Sequence, residues 1–174
     1  MLLDIEGQWI YIKSGNYDLN NSVTVISDNC KIEFADGCTI DLNCNSFDIS
    51  GTENVSIIGG TYTNSGTGGL SYVFDISDCT FCKLENMIFS GITGTNCITG
   101  SSGAGEWTEN CGLYRIRIEE GNEFDININD IQNSSLIDCY LYNVDSGKLN
   151  YSGLINCNFI GFLDDESNVF TTGD

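Results

Sequence analysis

Apolar residues return along this chain at a long, nearly constant interval. Phe47-Asp48-Ile49-Ser50 reappears 27 positions later as Phe74-Asp75-Ile76-Ser77. In both copies the next apolar anchor lies eight positions after the Ile, at Ile57 and Leu84, and Thr24-Val25-Ile26-Ser27 reaches Phe34 in the same way. The anchors Ile12, Phe34, Ile57, Leu84, Leu113, Leu136 and Leu154 are 22, 23, 27, 29, 23 and 18 residues apart. A repeat of this length is the mark of stacked architectures. Each unit reads as short β-branched and aromatic runs with alternating polarity, separated by Gly, Asn, Asp and Ser, and nothing follows a helical period. One strand runs into the anchor and a second leaves it, as at 17–19, 39–42, 141–144 and 159–162. In the second unit either Thr39 or Ile40 closes the pattern. A third strand follows a polar turn, at 23–26, 47–49, 73–76, 124–128 and 168–170.

Three short strands cannot bury an apolar face alone. Successive units can, when equivalent strands pair in parallel about 4.8 Å apart. The pattern therefore predicts an all-β chain: a right-handed parallel β-helix of about seven coils, three strands per coil. The chain is read as a single domain over 1–174, with a lead-in at 1–8 and long loops at 63–72 and 99–110. A two-sheet sandwich is the rival; it predicts antiparallel hairpins and gives no reason for equivalent residues to recur at a coil's length.

Composition narrows the function. Twenty-five acids against six bases give a net charge of −19, a poor electrostatic match for nucleic acid or an anionic membrane unless divalent cations intervene, so no nucleic-acid partner is expected. No apolar run reaches a membrane span, so no membrane insertion is expected, and Met1 to Glu6 lacks the basic start of an export signal. Histidine is absent, which removes the commonest general base and metal ligand. The nine cysteines are odd in number and irregularly spaced, unlike a disulfide framework. Cys139 and Cys157 share one slot of the repeat with Met87, Ile116, Gly60, Gly37 and Gly15, an interior or corner position where Cys acts as a small hydrophobe. Interior thiols imply folding in a reducing compartment. Cys79-Thr80-Phe81-Cys82 is the one CxxC, with no second pair to complete a tetrahedral metal site.

Alternation places Asp48 and Asp75 on the outside, together with Asp125 two coils on. Stacking would bring Asp48 and Asp75 about 5 Å apart, where a Ca²⁺ ion could relieve their repulsion or solvent could simply screen it. The two long loops bracket this face, and inserted loops are where binding residues collect. Tyr72, Asp75, Glu106, Trp107 and Glu109 are the candidate carbohydrate-binding residues, Trp107 as an aromatic platform flanked by acceptors. A loop whose Trp packs on its own coil is the competing reading.

The repeat, its polar turns and the opening run from Trp9 to Leu19 resemble the pectin-lyase-like β-helix superfamily, and within it the β-helical parts of bacteriophage tailspikes and fibres. The family's Gly-His-Gly element has no counterpart here. Arg115-Ile116-Arg117 is similar to its Arg-Ile-Lys, but Ile116 falls on a core slot. Asp164-Asp165 is similar to its paired aspartates, in a polar turn beside Glu166. The resemblance implies a virion structural protein, a tail spike, tail fibre or head fibre that binds a receptor or cell-surface glycan and needs no cofactor. Such a module would be a homotrimer, assembled with other virion proteins in a host cytoplasm. Its contacts are expected around Tyr140, Tyr142, Tyr151 and the 159–162 stretch, where charge is sparse. The alternatives are a polysaccharide-degrading glycosidase or lyase using Asp48, Asp75 or Glu106, and a secreted or cell-surface microbial adhesin.

Overall fold

The computed structural model describes residues 1–92, 96–100, 108–119, 124–132, 135–142, 145–150, 153–155 and 158–160, with side chains for 1–92, 97–100, 108–119 and 135–140. Every strand pairing is parallel, and no helix occurs among the described residues. The first sheet stacks Trp9–Ile12, Lys31–Phe34, Ser56–Ile58, Lys83–Glu85, Gly112–Tyr114, Ser135–Ile137 and Gly153–Ile155. The second stacks Gly15–Asp18, Cys38–Asp41, Thr61–Thr63, Ile88–Phe89, Arg117–Ile118, Tyr140–Tyr142 and Asn158–Ile160. The third runs Leu2–Leu3, Val23–Val25, Phe47–Asp48, Tyr72–Asp75, Asn96–Gly100 and Phe124–Gln132. Thr108–Glu109 and Asp145–Asn150 both pair with Phe124–Gln132. The architecture is a three-sided parallel β-solenoid, and the all-parallel pairing of the described residues rules out the sandwich.

Most repeat anchors stack as expected: Ile57 lies opposite Leu84, Leu84 opposite Leu113, Leu113 opposite Leu136 and Leu136 opposite Leu154. Phe34 does not. Ile32 pairs with Ile57, while Phe34 pairs with Ile12 of the preceding coil. The strand of the second coil runs two residues past the anchor position before turning, so the pattern matched the wrong apolar residue. The same offset places Cys38, not Gly37, in the slot of Gly15. Ile40, not Thr39, closes the unit, between Tyr17 and Tyr62. Four strands escaped the reading: Leu2–Leu3 in the lead-in, Asn96–Gly100, Thr108–Glu109 within the expected 99–110 loop, and Asp145–Asn150. The Gly, Asn, Asp and Ser of Asn96–Gly100 and Asp145–Asn150 resemble turn sequence, and all four segments are strands because neighbouring coils supply partners. The 168–170 strand lies outside the described residues.

The interior is a mainly apolar column. Ile57, Met87, Ile92 and Ile116 are fully buried, and Phe47 and Phe74 stack at 5.0 Å with Tyr62 and Phe89 stacked at 5.4 Å. The two stacks meet edge to face, Tyr62 lying 5.1 Å from Phe74 and 5.9 Å from Phe47. Such pairs contribute about 0.5–1.5 kcal/mol beyond their burial. The eight described cysteines are free thiols, all buried except the half-exposed Cys44. Several donate to carbonyls of the neighbouring coil or turn, as Cys79 does to Ile49 O at 3.0 Å and Cys139 to Leu113 O at 3.4 Å. Burial pushes the Cys30 and Cys38 thiols above their ordinary value, so they pack as neutral groups.

Phe74 touches three other rings, so Phe74→Ala should cost about 3–5 kcal/mol. Thermal melting should fall by roughly 10 °C for a chain of this size. A shift under a degree or two would contradict this account of the core.

Candidate functional site

Asp48 and Asp75 are register partners on the outer face of the third sheet, as alternation required. Thr24 lies above Asp48, and Thr99 then Asn127 follow below Asp75. Asn127 therefore occupies the position expected for Asp125, because the strand of that coil starts two residues earlier in register than its sequence pattern implies. The acids serve the backbone first. Asp48 Oδ1 accepts from Ser50 N at 3.0 Å and Ser50 Oγ at 2.6 Å, and Asp75 Oδ1 accepts from Ser77 N at 2.9 Å and from Ser77 Oγ. The repeated Phe-Asp-Ile-Ser is thus two inward apolar residues, an outward acid and the serine whose turn that acid closes.

Tyr72 shares this face. Partial burial and then the negative charges of Asp48 and Asp75 raise its hydroxyl above the ordinary tyrosine value, against a hydrogen bond with Ser46. Glu109 is elsewhere: it bridges Thr80, which bridges Glu53, in the corner that follows the third sheet. Glu106 and Trp107 lie outside the described residues, as do Asp164 and Asp165. Arg115 stands at a corner with φ of 52°, its guanidinium held by Glu85 and Asn86, while Ile116 is fully buried. Among the described residues no group of three or more His, Cys, Asp or Glu side chains is arranged to hold a metal ion. The long segment after Thr63 lies against the preceding coil. Ser65 N donates to Asp41 Oδ1 at 2.9 Å, Cys44 N to Asn64 Oδ1 at 2.9 Å, and Gly68 N to Cys44 Sγ at 3.1 Å.

A better-formed site lies at the outer corner between the first and second sheets. The corner between Phe34 and Cys38 holds three residues, Ala35-Asp36-Gly37, whereas Gly59-Gly60 and Asn86-Met87 make the next two corners with two each. The longer corner juts out and is pinned by Ser14 Oγ donating to Asp36 O at 2.6 Å. The glycine corner beside it carries no side chains. Gly59 (φ 84°) and Gly60 (φ 95°) adopt a left-handed backbone, and a Cβ on Gly59 would drive into the carbonyl of Phe34. A projecting corner next to a bare one leaves a groove of about 320 Å³, walled by Tyr11, Glu33, Asp36, Thr61, Asn86 and Ile88.

The groove's chemistry is mixed. The Tyr11 ring is 55% exposed, a flat apolar surface with a polar tip. Glu33 is ion-paired with Lys31 at 2.6 Å, and that ammonium sits 4.7 Å from the centre of the Trp9 ring. Asn86 Oδ1 accepts from Arg115 Nε at 2.5 Å, which leaves its amide N–H₂ as the available donor. Asp36 is exposed, and its carboxylate makes no hydrogen bond or ion pair with the described residues. An aromatic face, a hydroxyl, an amide and a carboxylate along one groove suit a polyhydroxylated ligand. Nothing in the sequence pattern pointed here except the Gly59-Gly60 pair and the outward Tyr11, because the groove comes from a difference of one residue in corner length.

No protein-family model matches this chain, and no curated protein matches it. Among solved structures it is similar to a "putative glycosyl hydrolase" from Parabacteroides merdae, with a TM-score of 0.57 over 97% of this chain and 85% of the other, at 12% identity. At that identity the likeness shows the fold alone.

Hydrogen bonds donated by Ser65, from its side chain first and then from its backbone N–H, hold the Asp41 carboxyl below its ordinary value. A carboxylate depressed in the folded state contributes stability that is present above its unfolded pKa and lost as pH falls through the folded one. The protection factor of the Ser65 amide should therefore fall on acidification below the ordinary carboxylate range. In Asp41→Asn it should be lower at neutral pH and flat with pH; a flat profile in the native chain would contradict the assignment.

Proposed function

We propose that this chain is a glycan-binding β-helix module that holds a saccharide in the groove between its first and second sheets. The observation that carries the reading is the exposed Tyr11 ring set beside the Asp36 carboxylate, the Thr61 hydroxyl and the Asn86 amide over a floor of glycine backbone. Sugars present an apolar C–H face and a rim of hydroxyls, and this groove offers a partner for each. Glu33 and Asp36 are its two acids; the first is tied to Lys31 and the second stands in open solvent. Neither has the enclosed, apolar setting of a proton-donating carboxyl, which favours binding over bond cleavage.

The setting in which such a module works belongs to the same proposal. The resemblance to pectin-lyase-like β-helices and to tailspikes supports a homotrimeric phage spike or fibre, joined to other virion proteins and assembled in a host cytoplasm. Eight free thiols among the described residues fit a reducing environment. The likeness to the "putative glycosyl hydrolase" from Parabacteroides merdae favours a second reading, cleavage of the bound polysaccharide.

A glycan array followed by calorimetry on the best binder tests the reading. Tyr11→Ala should weaken binding at least tenfold while melting within about 2 °C of the native chain, because an exposed ring carries little of the fold. Equal affinity in the variant would contradict the groove as the site. Release of reducing ends from the bound glycan would replace binding alone with hydrolysis.

A further inference from the structure

We infer that the bound glycan continues out of the groove, across the outer face of the first sheet, into a second subsite beside Trp9. This rests on the glycan-binding reading above. A shallow hollow of about 290 Å³ lies at the opposite end of the same strands, at the corner between the third and first sheets. Trp9, Asn29, Lys31, Asn54 and Ser56 line it. The hollow and the groove share a floor. Ile32 and Ile57 are buried, so alternation turns Lys31 and Glu33 outward on one strand, and Ser56 and Ile58 on the next. Lys31 and Ser56 line the hollow, while Glu33 and Ile58 line the groove. Two residues of strand, about 7 Å, separate the members of each pair.

The hollow repeats the groove's chemistry with different residues. The Trp9 ring is 65% exposed, and the Lys31 ammonium 4.7 Å from its centre steadies it. The Asn54 amide donates to Asn29 Oδ1 at 3.0 Å, which leaves Asn54 Oδ1 as an acceptor and the Asn29 N–H₂ as a donor. The Ser56 hydroxyl makes no hydrogen bond with the described residues. Between the two sites the Lys31–Glu33 ion pair, at 2.6 Å, forms a sill whose charges cancel. The rings also set the direction of the chain. Trp9 and Tyr11 rise side by side from one strand, whereas along the stack Trp9 is followed by Lys31 and Ser56, and Tyr11 by Glu33 and Ile58. Successive sugars therefore find successive stacking surfaces along the strand, across the solenoid axis rather than parallel to it.

The test uses a ladder of oligosaccharides of one backbone, from the disaccharide upward, cut from the polysaccharide that binds best on the array. Calorimetry on the native chain should show affinity rising about tenfold or more with length, then levelling once a member spans both sites. Trp9→Ala should abolish the rise, so that long members bind no better than the shortest. Asn54→Gly keeps the positive φ of 56° without strain and should reduce the rise. Tyr11→Ala should weaken every member. The ratio of long to short is the readout, so a general loss of folded chain does not imitate the effect. A rise that survives in Trp9→Ala, or no rise in the native chain, would overturn the second subsite and leave the groove standing. Binding of no member, by a chain that melts cooperatively, would overturn the glycan reading itself and this inference with it.

Discussion

The constraint on which everything else depends is that each inward side chain must stack on its counterpart one coil away. A single coil has too little apolar surface to close over itself, so coils are stable only in register. Phe47 on Phe74 and Tyr62 on Phe89 show how this is met: the two stacks face each other edge to face across the interior, so slipping any coil would break several ring contacts at once. The core also fixes the outside. The Tyr62 hydroxyl, buried with the ring, donates to Gly59 O at 3.1 Å, and Gly60 leaves no room for a Cβ against Ile40 and Tyr62. The floor of the groove is therefore held from within by the same residues that fill the column, and the site inherits the rigidity of the stack.

Charge is distributed with equal economy. Many of the acids close turns rather than crowd the faces: Asp48 and Asp75 hold their serines, Asp41 holds Ser65, and Asp28 accepts from Glu53 N at 2.7 Å. Each of these carboxylates is thereby tied to the backbone of its own coil or the next one. Asparagines do the same where the chain must turn with positive φ. Asn29 and Asn54 occupy equivalent corners, and the Asn54 amide donates to Asn29 Oδ1 at 3.0 Å. Phe81 takes the next equivalent corner at φ 56° with its ring 55% exposed, and nothing in the structure explains a bulky residue there.

What the sequence revealed was whatever burial demands. Ile57, Leu84, Leu113 and Leu136 could be aligned because the column accepts only apolar side chains at that slot, and Ile116 could be assigned to it despite two flanking arginines. Corners were opaque for the opposite reason. Gly59, Asn86, Arg115 and Asp138 fill one corner column with positive φ and share no side-chain chemistry, so no pattern marks them. The error at Phe34 followed from this: a longer strand and a longer corner exchange residues without changing the length of the repeat by much. The site was hidden in the same place. Asp75 could be placed on the outer face because it stands between the buried Phe74 and Ile76; Asp36 and Asn86 could not be placed, because corners set their position and corner length is invisible to alternation.

The most direct test of the central claim, that corner geometry makes the binding groove, is an amide chemical-shift titration of the isotope-labelled chain with the best-binding glycan. Perturbations should cluster at Tyr11, Asp36, Gly59, Thr61 and Asn86, which are far apart in sequence and adjacent only in the stack. A cluster around Tyr72 and Asp75, or no saturable shift at the corner, would contradict it.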